Sequence, residues 1–136
     1  MNGIAGKIMK CPMLADTDVM VDFLRGYPKA VALVKNNSSQ IILSCVVAAE
    51  LYAGVRSERE MTALDSLMRL FNIIPISFDL AKAAGLYQRD YARSHGIGLA
   101  DAIIAATAAA ENAEILTLNT KHYPMVKGLK PAYAKA

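Results

Sequence analysis

Cysteine and histidine are scarce in the 136 residues, two of each, and no long apolar run is present. Cys11 and Cys45 are too few and too far apart for a disulfide framework or a thiolate metal motif, so they read as reduced core thiols of a cytoplasmic protein. His95 precedes a Gly-x-Gly turn and His122 lies in a polar turn. The two are unmatched, which disfavours metal-free acid–base catalysis by a histidine pair and suits surface roles. No apolar stretch reaches the roughly 18 residues of a membrane-spanning helix. Residues 102–110 come closest and are mostly alanine. The N-terminus carries Lys7 and Lys10 without a long apolar segment, so it does not read as a secretory leader. Charged residues make up only 20% of the chain, which argues against disorder. Internal repeats and linkers are also missing.

What is present is apolar material, 54% of the chain, enough for one sizeable core. Residues 1–12 are polar and aperiodic, a flexible or partly extended tail, and 13–136 form a single domain. Residues 13–16 predict a first strand, and a helix capped by Asp18 runs to about Arg25. Gly26 ends it and Pro28 opens the next. Strands follow at 40–43, 72–76 and 114–118. Between them lie helices at 46–54, 57–71, 79–94 and 98–112, the last so rich in Ala and Ile that it must be largely buried. Residues 129–134 are a candidate fifth strand, with Pro131 suited to an edge. Strands alternating with helices imply a short parallel sheet covered on both faces.

Three carboxylates stand where an apolar core does not want them. Asp16 ends the first apolar strand, Glu50 lies in Val-Val-Ala-Ala-Glu-Leu, and Asp101 lies in Leu-Ala-Asp-Ala-Ile-Ile. A buried unpaired carboxylate is costly, and no lysine or arginine is near any of them in sequence. A shared hard cation is one economical solution. Each acid also has a purely structural explanation. Asp101 sits in a first helical turn, where the dipole favours any carboxylate, and Glu50 could face solvent at a helix end. Asp18 is best explained as a cap, and Asp22 as part of a solvated helix face.

In order along the chain, Asp16-Thr17-Asp18-Val19, Ala49-Glu50-Leu51, Gly98-Leu99-Ala100-Asp101-Ala102 and Leu116-Thr117-Leu118-Asn119-Thr120-Lys121-His122-Tyr123 make the sequence resemble a PIN domain, and more narrowly the VapC toxins of bacterial toxin–antitoxin pairs. The ordered set is the specific signal. The resemblance implies a three-layer α/β/α sandwich with a short parallel sheet of four to five strands. It also implies Mg²⁺- or Mn²⁺-dependent cleavage of RNA. Asp16, Glu50 and Asp101 match the core acids expected to hold the metal. Asn119 matches a fourth position that is Asp in many relatives. As an uncharged oxygen ligand it favours one firmly bound ion. Thr17 and Thr117 match hydroxyls that line the pocket, with Asp18 in at most a supporting place. Val47 departs from the Ser or Thr common in relatives at that position, which leaves the cap of the Glu50 helix open to Ser44. Arg25, Arg89, Arg93 and Lys121 are candidate RNA contacts.

Two other readings remain. Asp16-x-Asp18 after a strand imitates the nucleophile and acid of haloacid-dehalogenase-like phosphohydrolases, although no acidic pair follows a later strand. A catalytically silent module that only binds RNA or protein is the other. The toxin resemblance further implies a VapB-like antitoxin, a homodimer and no membrane. The Met and Leu face of residues 57–71 and the Tyr87 and Tyr91 face are candidates for the dimer contact.

Overall fold

The structure, a computed structural model, describes residues 11–135. Most of the tail expected at 1–12 therefore lies outside the described residues. The chain runs β1 (Met13–Ala15), α1 (Thr17–Leu24), α2 (Pro28–Asn36), β2 (Ile41–Ser44), α3 (Cys45–Ala53), α4 (Glu58–Met68), β3 (Asn72–Ile74), α5 (Phe78–His95), α6 (Leu99–Glu111) and β4 (Glu114–Leu116), followed by a single 3₁₀ turn, Thr120–His122.

The strands are short and apolar because both faces of the sheet are covered. All four residues of β2 are buried, as are Leu14 and Ala15 of β1. The sheet order is β3-β2-β1-β4, and every neighbouring pair is parallel. Leu14 pairs with Ile42 on one side and with Ile115 on the other. Parallel neighbours require crossovers, and the six helices supply them as the outer layers of an α/β/α sandwich. The chain steps outward from β1 to β2 to β3, then returns to the free side of β1 for β4. That reversal makes the carboxyl ends of β1 and β4 the switch point of the sheet, where open α/β folds form a crevice.

The caps explain where the helices start. Asp16, not Asp18, is the cap of α1, and its carboxylate accepts from the Thr17 N–H. Ser44 is both the last residue of β2 and the cap of α3, with its Oγ accepting from the Val46 N–H at 3.1 Å. Such a cap contributes about 1 kcal/mol. It meets the need left by Val47, which is itself buried in the core. Ser57 and Ser77 cap α4 and α5 in the same way. Gly96, at φ +64°, closes α5 in the left-handed region that glycine tolerates without steric cost.

One expected strand is missing. Residues 129–134 form no strand: Pro131 has no N–H to give to a ladder, and the segment is held instead by an Ala132 N–H to Thr117 C=O hydrogen bond of 2.9 Å. The apolar faces expected to carry a dimer are largely used within the chain. Leu64 and Met68 of α4 belong to the main core, and Tyr87 packs against both that core and the smaller cluster of Leu80, Ala84, Ile97, Ala102 and Ala106 between α5 and α6. No helix among the described residues is long and apolar enough to cross a membrane.

Candidate functional site

Asp16 stands at the switch point. Its own N–H continues the β1–β4 ladder by donating to the Leu116 C=O at 2.9 Å, so its side chain is delivered beside the exit of β4. Its Oδ1 accepts from the Thr17 N–H (2.7 Å), and its Oδ2 accepts from the Thr117 hydroxyl (2.8 Å) and the Tyr123 hydroxyl (2.8 Å). Three donors on a carboxylate with about four lone-pair directions leave it oriented and still able to accept once more. Asp16 is only 6% exposed, and Tyr123 is 1% exposed.

Asp18 occupies the next position along the same wall. Its Oδ2 accepts from the Leu118 N–H at 2.9 Å, while Thr117 Oγ1 and Asn119 Nδ2 lie farther off, at 3.4 and 3.5 Å. A hydroxyl has one proton, and the shorter contact gives that of Thr117 to Asp16. The Asn119 N–H in turn donates to Thr117 Oγ1 (3.1 Å). Asp18 therefore ties α1 to the end of β4, a tertiary role beyond the local cap expected of it.

Asp101 arrives from the first turn of α6. Tyr123 Oη lies 3.4 Å from its Oδ1, so one hydroxyl stands between Asp16 and Asp101. His122 Nδ1 lies 3.2 Å from Asp101 Oδ2. Glu50, exposed on α3, accepts from the Thr17 hydroxyl at 2.5 Å. The structure thus brings Asp16, Thr17, Asp18, Glu50, Asp101, Thr117 and Asn119 to one edge of the sheet. It adds Tyr123 and His122, which sequence reasoning did not assign to the pocket. The available signal for Tyr123 was the aromatic that closes the Thr-x-Asn-x-Lys-x-aromatic pattern.

The candidate cations divide. Arg25 lines a groove of about 590 Å³ between α1, α3 and α4 that opens beside Glu50. Lys121 is exposed in the turn between Asn119 and Tyr123. Arg89 is engaged with Asp90 at 2.9 Å on the surface of α5, and Arg93 is exposed in the last turn of that helix. Two clefts of about 650 Å³ lie elsewhere, but neither gathers converging acids. Asp22, expected on a solvated face, is instead covered, at 6% exposure.

Charge is the dominant feature. Among the described residues none of Asp16, Asp18, Glu50 and Asp101 is ion-paired with lysine or arginine; His122 is the one basic group in contact. Burial pushes the Asp101 carboxyl above its ordinary value; nearby His122 opposes this, and the charges of Asp16 and Glu50 add to it. Burial and then Asp16 push Asp18 up in the same way, against the pull of the Leu118 and Val19 N–H groups. The Tyr123 phenol is driven far up by burial and by Asp16, so it remains a donor at any working pH.

Among the described residues no three aspartate, glutamate, histidine or cysteine side chains gather closely enough to hold a metal ion by themselves. No such trio is needed for Mg²⁺ or Mn²⁺, which take one or two carboxylates and complete their shell with water and substrate oxygens. The donor set is all oxygen, carries excess negative charge, and has two carboxylates facing a common hydroxyl. These residues fit a hard divalent cation.

The pKa directions set a pH signature of the metal-free protein. Asp18 and Asp101 hold protons more tightly folded than unfolded. Their contribution to stability is therefore complete below the ordinary 3.8 and is lost as pH rises through their raised values. Carboxyl-carbon NMR titration is expected to place both midpoints above 3.8.

A family model described as PIN domain matches residues 13–127. The chain is 41% identical over 124 residues to Ribonuclease VapC19 of Mycobacterium tuberculosis, spanning 88% of this chain and 98% of that protein. It is 37% identical over 125 residues to Ribonuclease VapC10 of the same organism, spanning 90% and 93%. Among solved structures it is similar to a chain of a toxin–antitoxin complex from Klebsiella pneumoniae, with a TM-score of 0.77 at 27% identity, covering 89% of this chain and 98% of that one.

Proposed function

The chain belongs to the PIN domain family, and from that premise we propose that it is a Mg²⁺- or Mn²⁺-dependent endoribonuclease that serves as the toxin of a toxin–antitoxin pair. The observation that carries the reading is the pair of carboxylates, Asp16 and Asp101, that face the Tyr123 hydroxyl at the switch point, with no lysine or arginine paired to either among the described residues. The naming of the similar proteins as ribonucleases supports the substrate class. The toxin–antitoxin title of the similar structure supports an antitoxin partner. Pairing of two copies belongs to the same reading.

In this reading Asp16 and Asp101 hold the ion, Glu50 adds charge from the groove side, and Asn119 contributes a neutral oxygen, which favours one firmly held ion. Bound there, such an ion would supply charge neutralisation at the scissile phosphate and activation of a water. Thr117 and Tyr123 fix the orientation of Asp16 through their hydroxyls. Thr17 holds Glu50 against the start of α1. His122, with its Nδ1 3.2 Å from Asp101 Oδ2, would help hold that carboxylate in place from the solvent side. Arg25 and Lys121 attract the phosphate backbone into a site that is otherwise negative. The phosphohydrolase alternative is not favoured. Its acidic pair is missing after β4, where Thr117, Leu118 and Asn119 stand, and Asp16 already accepts three hydrogen bonds.

Purified protein incubated with RNA in Mn²⁺ and again in EDTA tests the proposal. Internal cleavage only with the metal is expected. Cleavage that survives chelation, or its absence with retained RNA binding, contradicts it.

A further inference from the structure

Among the described residues Asp22 is the one covered acid that the site does not use. It lies on α1, six residues after the capping Asp16, and both its oxygens are taken by the C-terminal segment. The Tyr133 hydroxyl donates to Oδ2 at 2.7 Å, and the Lys135 ammonium donates to Oδ1 at 2.8 Å. These partners are 111 and 113 residues away. The Lys135 ammonium also lies 5.1 Å from the centroid of the Tyr27 ring, and the Tyr27 and Tyr133 rings are 5.7 Å apart. Lys29 Nζ adds a 2.7 Å bond to the Ala134 C=O. Burial raises the Asp22 carboxyl, but the Lys135 and Tyr133 donors outweigh it and hold it below its ordinary value.

The same segment reaches the site from its other end. The Ala132 N–H donates to the Thr117 C=O, and Thr117 donates its hydroxyl to Asp16. The Asp16–Thr117 contact is therefore gripped on both sides, through α1 at Asp22 and through the exit of β4 at Thr117. Residues 132–135 have no helix or strand of their own. Their place is set by these hydrogen bonds together with the packing of Ala132 and Tyr133 against the core.

We propose that Tyr133 and Lys135 are positioning residues for the metal-holding acids, latching the C-terminal segment onto Asp22 so that Asp16 and the Thr117–Asn119 link keep one geometry. This rests on the reading of the site given above. A latch of this kind acts on the geometry of the pocket and not on contact with RNA, so it moves metal affinity and turnover and leaves RNA binding alone.

The test uses the full chain carrying Tyr133→Phe and Lys135→Met together, with Asp22→Asn measured in parallel as the milder change. Mn²⁺ affinity is read by calorimetry, cleavage as separate kcat and KM, and the fold by thermal unfolding. The expected result is Mn²⁺ affinity about tenfold weaker and a lower kcat, with KM for RNA within twofold and the unfolding transition still cooperative. Lys135→Arg, which keeps the cation, is expected to retain Mn²⁺ affinity. Variants that unfold at lower temperature yet match the unaltered chain in Mn²⁺ affinity and kcat overturn the proposal while the site reading stands. An unaltered chain that binds no Mn²⁺ overturns both.

Discussion

Asp16→Asn is expected to lower metal-dependent RNA cleavage by about 10³-fold while leaving the fold in place. The substitution is close to isosteric and asparagine caps helices about as well as aspartate, so α1 keeps its start. The amide cannot present two oxygens. Its NH₂ then faces one side of the Asp16 environment, where the Thr117 and Tyr123 hydroxyls can rotate to accept. What is lost is one negative charge among acids that have no lysine or arginine to replace it. Single-turnover cleavage beside thermal unfolding separates the effects. A variant that cleaves at more than about a tenth of the normal rate removes Asp16 from the mechanism.

The second large effect is on stability. Four acids share one end of the sheet in the folded protein and are dispersed in the unfolded chain, so their repulsion, and its relief by a cation, belong to the folded state alone. Mn²⁺ at a hundred times its dissociation constant is expected to stabilise the fold by about 2.7 kcal/mol. For a domain of this size that is a rise in melting temperature on the order of 10 °C. EDTA reverses it, and in Asp16→Asn most of the rise disappears because the site has lost a ligand. Scanning calorimetry with and without the ion reads both. No rise at saturating Mn²⁺ contradicts a metal held by these groups.

Part of the candidate site is legible in the sequence for a simple physical reason: a buried acid inside an apolar run must have a partner. Asp16, and the half-buried Asp101, announce themselves in that way, whereas Glu50 is exposed at the end of α3, as its solvent-facing alternative had it, and reaches the same edge through the Thr17 hydroxyl. The alternation of apolar strands with helices supplies the parallel sheet that carries the site. Features decided by distant contacts are not legible. Asp18 reads locally as a cap, and only the fold brings the Leu118 N–H to it from 100 residues away. Asp22 reads as a solvated helix position because nothing in α1 foreshadows Tyr133 and Lys135. Residues 129–134 carry strand-like composition, but Pro131 lacks the donor a ladder needs, and the segment is held instead through Ala132 at the Thr117 carbonyl and through Tyr133 at Asp22. Tyr123 and His122 look like turn residues until the switch point places them against Asp16 and Asp101.

In the proposed mechanism Asp16 and Asp101 hold one divalent ion at the switch point of the sheet. Anomalous diffraction from a crystal soaked in Mn²⁺ tests it most directly. A single strong peak in contact with both the Asp16 and Asp101 carboxylates is expected, and it is expected to be absent in the Asp16→Asn variant. A peak held by other groups, or none at these two acids, contradicts it.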